Sequence, residues 1–219
     1  MIRRDYVMRQ IQELMQVLAR ALFLRTQGEY DAALKEIRRA LKDLDPETDT
    51  EALDAQGWLD LCRRHEEIVG PLMEIVGSLL RERAASLAAA GQVRDSERVR
   101  AAGLTLQLEA ILTAANPVTT ELLGQVDDDI GALPVEVLPP SALTRLVNYF
   151  EQRGRLAAAE DILFDWLERG DPNAVRVGRE FYARLDGLTD DTLVGGGLSR
   201  REVEDGRTDL EERAGRIRD

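Results

Sequence analysis

The chain is poor in the residues on which most enzyme chemistry draws. Its 219 residues include one cysteine, Cys62, and one histidine, His65. A lone cysteine excludes an internal disulfide framework and fits a reducing cytosol. One cysteine and one histidine fall short of the three or four ligands that a zinc site requires. They also lack the orienting partner and oxyanion donors that a Cys–His nucleophile pair needs. Aromatic residues make up only 5% of the chain. No apolar run reaches the roughly 18 residues of a membrane span. The start, MIRRDYVMRQ, turns polar again after Met8, so no secretory core follows its arginines. Positive charge is scarce too. The formal net charge is -12, and no Lys or Arg stands between Arg100 and Arg145, which argues against nucleic acid as a partner.

What is present is helix-forming. Hydrophobic residues are 44% and charged residues 32%, with Ala, Leu, Glu and Arg prominent, a composition that loses little on entering helices and can bury a core. Charge is distributed unevenly. Residues 1–42 hold nine Lys or Arg against five Asp or Glu, a net of +4, which leaves -16 for the remainder. From Asp43 to Asp60 there are seven acidic residues and no basic one. This pattern reads first as a solubilising surface, and second as a basic N-terminal helix able to meet acidic groups.

Apolar spacing predicts a long first helix from about Arg3 to Thr26, with Val7, Ile11, Leu14, Leu18 and Leu22 on one face. Gly28 ends it in the position of a left-handed cap. A second helix, Tyr30 to Leu44, is stopped by Asp45-Pro46. A similar order returns in SALTRLVNYFEQRGRLAAAEDILFDWLERGDP, turning at Gly154, with Leu156, Ala159, Leu163 and Trp166 in the places of Tyr30, Ala33, Ile37 and Ala40. A fainter hairpin turns at Gly91, with Ala84 before it and Gly103 after it. The three glycines are 63 and 63 residues apart. Further helices are expected from Thr50 to Val69 and from about Thr119 to Ile130. The prolines of Leu133–Pro140 break the chain, and Gly195-Gly196-Gly197 reads as a flexible linker. Beyond it, Ser199 with Glu202 forms a capping box and Leu198 with Val203 a hydrophobic staple for a short final helix whose polar later turns fray.

Residues 28–46, GEYDAALKEIRRALKDLDP, resemble the second half of a tetratricopeptide repeat. Gly28, Tyr30, Ala33, Ile37, Ala40 and Pro46 take the motif places, and Ala21 is the small residue of the preceding helix. Arg20 stands where a leucine is usual, and the closing proline comes one residue late. The chain also resembles a small group of bacterial proteins of unknown function with degenerate repeats of this type. The residues that carry this likeness are Ile2-Arg3-Arg4-Asp5-Tyr6, the two hairpins at Gly28 and Gly154, and the closing GGGLSRREVEDG. The resemblance implies an all-α fold of TPR-like hairpins packed as an irregular superhelix or bundle, and it implies no activity. The expected organisation is an N-terminal helical part (1–132), a proline-rich connector (133–140), a C-terminal hairpin with a following helix (141–194), and a glycine linker with a terminal helix (195–219).

No catalytic, cofactor or metal-binding residues emerge. Asp127-Asp128-Asp129 lacks the alternating spacing of a calcium loop and reads as a solvated helix end. The glycine run lacks the residues of a phosphate-binding loop. Phe150 and Trp166 read as core. By the resemblance, first helices of such hairpins line a concave peptide-binding surface, which marks Arg25, Asn148, Tyr149 and Gln152 as candidate partner-binding residues. The leading expectation is a cytoplasmic, non-enzymatic scaffold or adaptor for a protein or peptide, with homodimerisation as a related use of exposed apolar faces. The alternative is a small-molecule sensor or carboxylate-based enzyme with a pocket between helices.

Overall fold

A computed structural model describes residues 2–65 and 68–218, with side chains from 9 to 65 and from 68 to 216. The side chains of Arg3, Arg4 and Val7, and all of Glu66, lie outside the described residues. Within them the chain is all α-helical, built from hairpins, with no strand. It divides into two compact units, one up to Ala142 and the other from Leu143 onward.

The first unit opens with α1 (Ile2–Thr26) and α2 (Tyr30–Leu44), joined at Gly28. Gly28 sits at φ 78°, and the Glu29 N–H reaches back to the Leu24 carbonyl at 3.0 Å, satisfying an otherwise orphaned acceptor. Ala21 and Ala33 are fully buried in this hairpin, and Ile37 and Leu41 on α2 lie in the same core.

The helix expected from Thr50 to Val69 is reduced to α3 (Ala55–Arg63). The reason lies in the aspartates before it. Asp45 accepts from the Glu47 N–H and the Thr48 hydroxyl, and Asp49 accepts from the Glu51 N–H. These local bonds offer the backbone an alternative to the helix. The Thr48 hydroxyl is the largest influence holding the Asp45 carboxyl below its usual range. Asp54 then starts α3 by capping the Gly57 N–H at 2.8 Å.

Two long helices, α4 (Val69–Ala89) and α5 (Val93–Leu112), form the centre of this unit and turn at Gly91, φ 79°. Their backbones come together at two glycines. A Cβ added to Gly103 would lie 2.9 Å from the Gly77 carbonyl oxygen, and one added to Gly77 would lie 3.0 Å from that of Gly103. Only residues without side chains permit this approach. Ser96, in the place that Ala33 holds in the first hairpin, donates its hydroxyl to the Ala84 carbonyl at 2.8 Å.

A sixth helix, α6 (Thr120–Ala132), packs on α5. Asp129 on it is 0% exposed, so the solvated reading of the three aspartates is wrong at that residue. Its Oδ1 accepts from Arg81 at 3.0 Å and Arg100 at 2.7 Å, two guanidinium groups from α4 and α5 that compensate the buried charge. The proline stretch that follows contains one 3-10 turn, Val135–Val137.

The second unit begins at Leu143, within α7 (Pro140–Gln152), which turns at Gly154, φ 67°, into α8 (Leu156–Glu168); α9 (Pro172–Leu185), α10 (Asp190–Gly195) and α11 (Arg200–Arg218) follow. Trp166 is fully buried, and its indole N–H donates to Asp171, the N-cap of α9, at 2.9 Å. The glycine run is not a flexible linker. Gly196 lies against Leu156 so closely that a Cβ there would fall 2.5 Å from Leu156 Cγ, and its carbonyl accepts from the Ala157 N–H at 3.0 Å. The capping box is formed as read, Ser199 N–H to Glu202 at 2.7 Å and Glu202 N–H to Ser199 Oγ at 3.2 Å. The helix it starts does not fray early. Val203, Leu210 and Ala214 are buried along one narrow stripe, and Arg179 from α9 grips Glu211 through two bonds of 2.7 and 2.6 Å.

Candidate functional site

A helix of period 3.6 brings residues i, i+3 and i+4 to one face. On α7 those residues are Asn148, Glu151 and Gln152, and they form one wall of an open groove of about 420 Å3 within the second unit. Leu188, after α9, supplies half-buried apolar surface, with the buried Leu156 of α8 beneath; Arg184 and Thr192 complete the far side. Tyr149, one residue from Asn148, is rotated about 100° around the same helix and is 1% exposed. Its ring packs against Phe150, centroids 5.6 Å apart. Tyr149 is therefore a core residue and cannot meet a partner, which corrects its place among the candidate binding residues.

Two features hold the groove in shape. Arg184 forks onto Glu151 with two bonds of 2.7 Å, pinning α9 to α7, and donating to Glu151 raises the arginine's pKa above its ordinary value. Arg200, in the first turn of α11, donates to the carbonyls of Leu188 at 2.5 Å and Leu185 at 3.4 Å and to Asp190 at 3.0 Å. One side chain thus secures the loop that carries Leu188. Within this frame the Asn148 and Gln152 amides make no side-chain hydrogen bond among the described residues, Asn148 half-buried and Gln152 exposed. Each amide can donate and accept at once.

Arg25, the remaining candidate, belongs to the first unit. Its Nε lies 2.6 Å from Glu82 on α4, so the group is committed to an internal ion pair and the groove is built without it. Glu151, Arg184, Leu188 and Thr192 escaped the sequence reading. A pair 33 residues apart leaves no periodic trace, and the loop's position depends on Arg200.

Other groups with chemical potential are occupied. Cys62 is 0% exposed and its thiol is pushed up to about 12 by burial, so it is neutral and unreactive. His65 lies beyond the end of α3 rather than on it. Glu160 accepts from the Tyr182 hydroxyl at 2.6 Å, and burial raises both groups above their ordinary pKa values. Gly206 on α11 covers this pair so closely that any Cβ there would strike the phenol oxygen. A second cavity, about 280 Å3 in the first unit, sets Arg83, Arg94 and Arg98 against Glu51, Asp54 and Glu97, with Arg83 engaged at 2.5 Å by Glu51. Its charges are matched. Among the described residues no group of three His, Cys, Asp or Glu side chains is arranged to hold a metal, and no helix is long and apolar enough to cross a membrane.

The family model described as Family of unknown function (DUF6483) matches residues 1–215. The chain belongs to this family. No curated protein and no solved structure matches it. The match runs through both units.

Proposed function

We propose that this protein is a non-catalytic adaptor that holds an extended segment of another protein in the groove lined by Asn148 and Gln152. The hairpins are, on this reading, degenerate members of the tetratricopeptide type, and the first helix of the last one presents the binding face. The observation that carries the proposal is the pair of amides without internal partners beside Leu156 and Leu188. An Asn or Gln side chain presents the same donor–acceptor pair as a peptide bond, so two of them one helical turn apart suit a main chain, while Leu188 takes an apolar side chain. The Glu151–Arg184 pair, with each charge already answered, suits a segment of low net charge at that point.

The test is selection from a displayed library of linear peptides on the immobilised full chain. The selected peptides are then measured against Asn148→Ala/Gln152→Ala. Two neutral hydrogen bonds of about 1 kcal/mol each correspond to a loss of about thirtyfold in affinity. Peptides that bind equally well to the double variant would place the binding face elsewhere.

A further inference from the structure

The charges around the cavity of about 280 Å3 in the first unit match in number, three arginines against three carboxylates, but they are not matched contact by contact. Glu51 is divided between Arg83 and Arg38, whose Nε lies 3.3 Å from its second oxygen. Asp54 is committed to the start of α3, where it accepts from the Gly57 N–H. Glu97 is left to answer Arg94 and Arg98, and among the described residues it pairs with neither. Arg94 has no ion pair among the described residues, and Arg98 has only a loose 3.8 Å contact with Asp95. Arg94 and Arg98 stand four residues apart on α5, and Ala101 and Ala102 follow on the same helix face. That face therefore sets positive charge beside small apolar side chains.

Two buried groups at the same cavity have donors to spare. Trp58 is 2% exposed, and its indole N–H meets no acceptor among the described residues. A buried indole ordinarily finds one, as Trp166 does in Asp171. Arg83 is 8% exposed and carries five N–H donors, of which Glu51 takes one. Burial is the largest influence lowering its pKa, and the charges of Arg38 and Arg98 act in the same direction, so a further anion beside it is favoured. Val137, which lines the cavity from the proline-rich connector, is 36% exposed and adds uncovered apolar surface.

We propose that this cavity binds a small organic carboxylate. Its oxygens rest on the Trp58 indole N–H and the spare donors of Arg83, its charge is answered by Arg94 and Arg98, and its apolar body lies against Ala101, Ala102 and Val137. An inorganic anion would use the same donors and leave the apolar wall uncovered, so the carbon skeleton is part of what the site selects. No residue of the Asn148 groove takes part.

Titration of the full chain with benzoate, hexanoate and cyclohexylacetate tests this, followed through its two indole N–H signals in heteronuclear NMR spectra. Trp58→Phe assigns the signals. At least one of these carboxylates is expected to shift the Trp58 signal saturably and to leave that of Trp166 in place. The matching neutral amide should bind more weakly by about tenfold or more, because it lacks the charge. Arg94→Ala/Arg98→Ala changes exposed positions, so helicity and the Trp166 signal should be unchanged while affinity for the carboxylate falls by about tenfold or more. A Trp58 signal that none of the carboxylates moves overturns the proposal. So does an amide that binds as well as its acid, or unaltered affinity in Arg94→Ala/Arg98→Ala. Phosphate that binds as tightly as the best carboxylate would make the site one for any small anion and equally overturn it.

Discussion

At the scale of single residues, adjacent positions in the sequence have unrelated fates. Tyr149 is sealed in the core while Asn148 beside it lines the groove. Asp129 is buried between two arginines while Asp128 stays at the surface. Helical periodicity separates such neighbours in principle, but it does so only once the buried side is known. A run of three aspartates offers no apolar marker from which to set that phase, so Asp129 was illegible. Its burial makes a prediction. Asp129→Ala removes the anion that Arg81 and Arg100 share, leaving Arg81 only the exposed Asp128. Breaking a buried pair costs about 3–5 kcal/mol, reduced here because both arginines reach solvent, so a loss of roughly 2–4 kcal/mol is expected from urea unfolding. A loss within experimental error would mean that Asp129 contributes no net stabilisation.

At the scale of elements, the turns were the most legible feature. Gly28, Gly91 and Gly154 lie 63 residues apart, and each is followed by an N–H that reaches five residues back, 3.0, 2.9 and 2.8 Å in turn. Positive φ at such places favours glycine, and that preference is written into the sequence directly. The glycine run at 195–197 misled for the opposite reason. Glycine also permits close approach, and nothing local distinguishes a loose chain from one pressed against a distant Leu156. Helix contacts give a paired prediction. Gly103→Ala would force the α4 and α5 backbones apart, an overpacking cost of about 1–3 kcal/mol that outweighs the roughly 1 kcal/mol gained in helix propensity. Gly124, on the exposed side of α6, meets nothing within 4 Å, so Gly124→Ala is expected to stabilise by about 0.5–1 kcal/mol. Thermal unfolding of the two variants should move in opposite directions.

At the scale of the whole molecule, each unit keeps its own electrostatic economy, and the second contains a carboxyl held against its preference. Burial, the largest influence on Glu160, raises its pKa above the ordinary 4.5, only partly offset by the Tyr182 hydroxyl. A raised folded pKa means that the native state holds this proton more tightly than the unfolded chain does. The contribution is thus fully present below about pH 4.5 and is lost as pH rises through the folded value. Glu160→Gln keeps an acceptor for Tyr182 and removes the charge, so its stability relative to wild type should improve steadily from acid to neutral pH. Urea midpoints at several pH values check the sign, and a relative stability that falls with rising pH would refute it. The all-α class and the hairpins were open to sequence reasoning because they rest on local periodicity. The groove was only half open. Asn148 and Gln152 lie on a recognisable helix face, but their opposite wall comes from residues 184–192, whose placement is fixed by Arg200.

The carbonyl of Gly196 that receives the Ala157 N–H has a consequence for how the protein comes into being. During synthesis α7 and α8 leave the ribosome long before residue 196 does, and until it arrives the amino end of α8 lacks that acceptor and Leu156 lacks its cover. The loop bearing Leu188 waits longer still, for Arg200. The first unit can therefore form before the groove does, since the groove waits for residues 188 to 200.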